Sequence, residues 1–250
     1  MDNQPQSAVY RPCRSATLDQ HVFHNHDHDS VHDLYAEITC HVPYAIFAVA
    51  IGLGILSILS FLSADTIFEN PDFFRKSARM MFHSFHFMHI AFAATGTVLT
   101  FMRFSTNRVA ALIVGIISPM VFCTLSDAIL PYLGGIALGV PMHFHLCFLT
   151  EYKNIIPFFV IGIVNGFILG SRGENHRTIY SLFSHAAHII ISSLASIFYL
   201  VAQGFVQWHL QIGFVFLFLI IAVVVPCTIS DIIIPMVVAR AGKGYEKHTT

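Results

Sequence analysis

Charge is what this sequence has least of. Of its 250 residues only 11% are Asp, Glu, Lys or Arg, where a soluble domain carries roughly a quarter. That shortage excludes an ordinary water-facing surface. It is accounted for if much of the surface meets lipid, where an ionised side chain is expensive. A basic face is missing as well, since the net charge is −1, so nucleic acid is excluded as a partner. The five cysteines, Cys13, Cys40, Cys123, Cys147 and Cys227, form neither a CxxC pair nor a disulfide framework. The polar N-terminus lacks the basic-then-apolar pattern of a cleaved signal, and the first apolar run is expected to target the chain instead. Walker lysine, HExxH, GxSxG and dinucleotide motifs are all absent. No ExxH pair occurs, and the histidines of the apolar runs lack the HxxxH and HxxHH spacings of membrane desaturases.

What the chain has instead is apolar residues, 55% of the total, and sixteen histidines. Six apolar runs fall at about 42–63, 80–102, 109–131, 155–171, 179–203 and 210–238. Each can cross roughly 30 Å of hydrocarbon at about 1.5 Å per residue, the fourth only just. They are too apolar all round for the buried helices of a soluble protein. Charged residues sit between them. Arg11, Arg14, Arg103, Arg108, Arg172, Arg177, Arg240, Lys243 and Lys247 fall on one side, and Arg75, Lys76, Arg79 and Lys153 on the other. The excess of basic residues predicts that both termini are cytoplasmic.

The runs repeat. Cys123-Thr-Leu-Ser-Asp127-Ala-Ile-Leu-Pro131 in the third is matched by Cys227-Thr-Ile-Ser-Asp231-Ile-Ile-Ile-Pro235 in the sixth. The pair His83/His86 in the second is matched by His185/His188 in the fifth, and Pro43, Gly52 and Ser57 in the first by Pro157, Gly166 and Ser171 in the fourth. Three matches in the same order indicate duplication. A three-span unit changes direction when repeated in tandem. The expected fold is therefore all-α: a polytopic membrane protein with six transmembrane helices as two inverted three-helix repeats, a plan shared by many secondary transporters. The expected divisions are a disordered His/Asp-rich tail at 1–40 with a short helix around Leu34–Ile38, repeats at 41–135 and 155–239, a connecting loop at 136–154 and a basic tail at 240–250. Pro119 and Pro226 are expected to interrupt the third and sixth helices, because proline removes a backbone donor. Residues 71–81 look like an interfacial amphipathic segment, and Trp208 with Tyr199 like an aromatic belt at a span boundary.

Residues i and i+3 share a helix face, so His83 and His86 point together, as do His185 and His188; His89 extends the first row. Counting from flanking charges and prolines puts each histidine pair at the depth of the aspartate on the next span. A membrane-embedded carboxylate costs ~3 kcal/mol on insertion scales, and the chain accepts this at Asp127 and again at Asp231. A metal would offset the cost. His83, His86, Asp127, His185, His188 and Asp231, with Cys123 and Cys227 as softer donors, suit a divalent transition metal such as Zn, Fe, Co, Ni or Mn. Thr124, Ser126, Thr228 and Ser230 would support those ligands. Secondary candidates are His89, His143 and His145, and His24, His26 and His28 of the tail, since short His-rich tracts bind metals loosely. The same residues also suit an Asp–His proton relay, or plain hydrogen bonds that hold helices together.

The function expected is a secondary transporter or permease for a divalent transition-metal cation, coupled to protons if the ligands release the ion on protonation. The alternatives are an integral membrane metalloenzyme or redox protein holding a metal or haem, and a structural subunit of a membrane complex. Association of copies into a homo-oligomer stays open.

Overall fold

The computed structural model describes the backbone of residues 29–62, 70–171 and 174–248, and the side chains of 42–62, 70, 72–171 and 187–242. Among these the chain is all helix and turn, with no strand. The elements are α1 (Asp29–Leu62), α2 (Pro71–Phe104), α3 (Arg108–Thr124), α4 (Leu130–Ala137), α5 (Cys147–Thr150), α6 (Tyr152–Gly170), α7 (Glu174–Ala202), α8 (Ile212–Thr228) and α9 (Ile234–His248). Two π-helical turns, π1 (Leu125–Ile129) and π2 (Ile229–Ile233), join α3 to α4 and α8 to α9 in continuous rods. Among the described residues, five helices are long and apolar enough to cross a membrane: Val42–Leu62, Asp72–Phe104, Arg108–Ala137, Tyr152–Gly170 and Trp208–Gly242. Within α7, the residues Ala187–Ala202 form a shorter apolar stretch.

The surface is inside-out relative to a soluble protein. Large apolar side chains such as Phe47, Ile58, Ile161, Leu217 and Ile221 stand exposed, while His86, His89, Asp127, Ser192, Ser196 and Asp231 are buried. Lipid demands this arrangement, because helices satisfy their own backbone polar groups and the remaining polar side chains must find partners within the bundle. The protein is an integral membrane protein.

Local chemistry explains several helix ends. Asn70 caps α2, its side chain accepting from Phe73 N at 3.2 Å, with Pro71 at the first turn. Asn107 does the same for α3 through Ala110 N at 3.1 Å. Both use the preference for short polar side chains where the first amides lack partners. α2 takes in the segment expected to be separately amphipathic: residues 71–81 are its opening turns, with Asp72 and Arg75 paired one turn apart. Similarly, the short helix anticipated around Leu34–Ile38 is part of α1.

α2 and α7 form the centre of the bundle, packed against each other. α6 and α3 flank α2, while α1 and α8 flank α7. The α6 contact is unusually close. A Cβ added to Gly162 would lie 2.4 Å from the Ala91 carbonyl oxygen, and one added to Gly166 would lie 3.0 Å from the Thr95 carbonyl oxygen. Glycines four apart let two membrane helices meet backbone to backbone. Thr95 Oγ1 exploits that approach, donating to Gly162 O at 3.0 Å.

Two expectations are corrected here. Pro119 and Pro226 lie inside α3 and α8 without breaking them. The irregularity comes a few residues later, at π1 and π2, which contain Asp127 and Asp231. A π turn widens the helix by one residue and re-aims the side chains it carries, which is why such turns gather at functional sites. Tyr199 and Trp208 do not form a lipid-facing belt. Both are buried in the main apolar core, where Tyr199 packs edge-on against Phe82 at 5.0 Å.

Gly162→Leu is expected to push α6 off α2 and destabilise the fold by about 1–3 kcal/mol, the usual cost of overpacking. Gly54→Leu, where nothing lies within 4 Å, should leave stability unchanged. Thermal midpoints of the two variants in the same detergent test this contrast.

Candidate metal centre

α2 carries His83, His86 and His89 one helical step apart, and π1 brings Asp127 against the inner two. Asp127 Oδ2 is 2.8 Å from His86 Nδ1 and 2.6 Å from His89 Nδ1. The other oxygen, Oδ1, accepts from Ser126 Oγ at 2.7 Å and Ser192 Oγ at 3.0 Å. Four donor-capable neighbours match the four acceptor sites of an ionised carboxylate. In the second unit, π2 places Asp231 Oδ2 2.7 Å from His188 Nδ1. Thr97 Oγ1 is 3.5 Å from Asp231 Oδ1 and donates at 3.3 Å to Ser230 O, which also accepts from Ser118 Oγ at 3.1 Å. Room for Asp231 depends on Gly96, where a Cβ would lie 2.8 Å from Oδ2.

These two units meet. His89 Nε2 lies 2.6 Å from His188 Nε2, with the rings inclined at 63°. Cys123 Sγ and Cys227 Sγ each lie 3.7 Å from His89 Nε2. The result is a chain, Asp127–His89–His188–Asp231, crossing from α2 to α7 with one thiol from each Cys-Thr-x-Ser-Asp motif beside its middle. All six residues are at most 4% exposed.

The tautomers follow from the partners. A carboxylate beside Nδ1 keeps the proton there, which leaves the lone pair on Nε2. Two such lone pairs at 2.6 Å repel unless a shared proton or a metal cation lies between them. A metal bound tetrahedrally at about 2.0–2.1 Å from nitrogen and about 2.3 Å from sulfur has N–N edges near 3.3 Å and S–N edges near 3.6 Å. Both thiols stand at about that separation from His89 Nε2, while the rings need to part by about 0.7 Å. His89, His188 and Cys227 already offer ligand atoms within 4.8 Å of one another, as do His86, His89 and Asp127. The second set is held by direct Nδ1–carboxylate contacts. Contacts of this kind can orient the rings, as the carboxylate of a carboxylate–histidine–metal triad does.

The other candidates are more dispersed. His83 lies one turn outward from His86, and its Nε2 is 3.3 Å from His145 Nε2, with Cys147 close by. Burial lowers the His145 pKa, with Arg79 adding to the effect, and burial pushes the Cys147 thiol up to about 12. His143 is exposed and lines a cleft of about 530 Å³ with Asp72, Arg75, Arg79 and His83. Thr124 bonds only its own helix, at Met120 O. Thr228 is buried beside Cys227 with its hydroxyl unpartnered. The side chain of His185, and His24, His26 and His28 entirely, lie outside the described residues. Ser192, Thr97 and Gly96 belong to the site without having been anticipated. Ser192 was within reach, since it sits one turn beyond His188 on the same face of α7. Gly96 carried no signal, because a glycine's role is set by what approaches it.

Gly96→Val should displace Asp231 from His188 and weaken metal binding about 10–100-fold, the usual cost of losing an outer partner of a ligating histidine. Zn²⁺ competition titration of the purified protein measures this; unchanged affinity would remove Asp231 from the site. No protein-family model, curated protein or solved structure matches this chain.

Proposed function

We propose that the protein is a secondary permease for a divalent transition-metal cation, with six spans in two inverted three-helix halves and both termini on the cytoplasmic side. The observation that carries the reading is the head-to-head pair of imidazoles, His89 and His188, each backed by a buried aspartate. One ring comes from each half, and so does each flanking thiol. Two embedded carboxylates bring two negative charges into the bundle, and a divalent cation between the rings neutralises both. Imidazole and sulfur donors favour Zn²⁺, Co²⁺, Ni²⁺ or Fe²⁺ over the harder Mn²⁺.

The packing supports an inverted arrangement. α6 lies on α2 while α1 lies on α7, so the first helix of each half covers the second helix of the other. π1 packs against α7 and π2 against α2 in the same reciprocal way. A site at the joint of two such halves can be exposed to either side by rocking one against the other. The row His83, His86 and His89, descending α2 from the cleft in steps of about 4.5 Å (three residues at about 1.5 Å each), is the path such a cation would follow.

The full burial of His89, His188 and Cys227 favours a second reading, a resident metal ion that pins the two halves together, because sites closed to solvent are typical of structural metals. Flux separates the two. Reconstituted into liposomes containing a metal-sensitive dye, the protein is expected to give saturable Zn²⁺ or Co²⁺ entry, reduced about tenfold or more by His89→Gln, His188→Gln or Asp231→Asn. Stoichiometric bound metal with no flux would replace the permease by the resident ion; no metal binding at all would remove both.

A further inference from the structure

Outside the central pair of rings, a second group of ligand-type side chains converges from three separate elements. His83 comes from α2, His145 from the loop that follows α4, and Cys147 from the first position of α5. Their ligand atoms all lie within 4.8 Å of one another, and the two Nε2 atoms are 3.3 Å apart. That spacing is already the N–N edge of a tetrahedral shell, about 3.3 Å; here no ring has to move.

The group is also held in place. The His83 ring stacks parallel on Phe87 at 5.7 Å. The loop bearing His145 is tied to α7 from both directions: His145 N donates to Tyr199 Oη at 3.2 Å, and Tyr199 Oη donates to His145 O at 3.3 Å. One step earlier, His143 N donates to Gln203 O at 3.0 Å. Gly204, at φ +124°, lets the loop lie close, since a Cβ there would sit 3.1 Å from Pro141 O. Tyr199 is thus a buried strut whose hydroxyl fixes the backbone of a ligand-bearing loop, which explains a tyrosine deep in an apolar core.

We infer that His83, His145 and Cys147 form a second, outer metal-binding site beside the cleft that His83 lines, taking the same borderline divalent cations as the central site. Three protein donors leave one position of a tetrahedral shell open for water or an arriving ion, as closed four-ligand sites do not. Imidazole donors exclude Mg²⁺ and Ca²⁺, which need oxygen. With three protein donors, two of them on half-buried imidazoles, the outer site is the weaker of the two. A site strong enough to capture and weak enough to release is what loading a deeper site requires. From it, His86 stands one turn along α2 toward His89. The loading role rests on the permease reading; the existence of the site does not.

Co²⁺ titration of the full-length protein in nanodiscs, with and without His83→Gln/His145→Gln, tests the inference. The number of equivalents lost is the readout, because His24, His26 and His28 contribute equally to both proteins. The double variant is expected to lose one weakly bound equivalent and to keep the thiolate-to-cobalt absorption of the central site. In liposomes its half-saturating Co²⁺ concentration should rise about tenfold, with maximal flux retained. His145→Asn alone, in a loop held by backbone contacts, repeats the test should the double variant fail to fold. An unchanged number of equivalents overturns the outer site. Loss of one equivalent from a protein without flux upholds the site and overturns the permease.

Discussion

Two carboxylates buried in lipid-spanning helices set the terms for the rest of this structure. Each costs ~3 kcal/mol to embed, and neither is paired with lysine or arginine in the contacts described. Asp127 and Asp231 rely instead on imidazoles and hydroxyls drawn from α2 and α7. That dependence places the most polar faces of the two central helices against each other, and it leaves the outer faces of α1, α3, α6 and α8 free to be largely apolar. The same demand explains the serines that line α7: Ser192 donates to Asp127, and Ser196 donates to Ser126 O at 3.0 Å. Removing Ser192 would leave part of a buried charge uncompensated, and removing Ser196 would leave the Ser126 carbonyl without that donor.

Irregular backbone serves the same end. A regular helix through Cys-Thr-x-Ser-Asp would hold all its side chains at fixed angular intervals. The π turns widen the helix at the aspartate in both motifs, and in both the side chain reaches a histidine on another helix. Glycine works from the opposite direction. At Gly96 the lack of a Cβ admits a carboxylate, and at Gly162 it admits a neighbouring backbone. These positions are where bulk would be least tolerated and where a single added methyl group has a stated obstacle.

Near-symmetry in the sequence produces an asymmetric site. His86 and His188 occupy matching positions in the two repeats, and each contacts the aspartate of its own unit through Nδ1 with Oδ2. His89 has no counterpart; counting from His83 and His185, its place in the second half is taken by Ile191. Yet His89 is the ring that shares Asp127, faces His188 and lies 3.7 Å from both thiols. His89 is thus the residue that joins the two polar clusters into one. The outer group is asymmetric too, since His145 and Cys147 come from the segment linking α4 to α6.

The sequence alone determined what can be counted along a chain. Sparse charge and long apolar runs imply helices in lipid, the repeated motif implies duplication, and i, i+3 spacing puts histidines on one face. Those inferences need only local geometry and the cost of burying charge. Tertiary structure decided what depends on how helices cross. It set the meeting of His89 with His188, the place of Cys147 beside His83 and His145, the burial of Tyr199 and Trp208, and the shift of the irregular turn from the prolines to the aspartates. Helical periodicity fixes the direction of a side chain relative to its own axis. It carries no information on the rotation and offset of one axis against another, and the distance between two ring nitrogens on different helices is set by those.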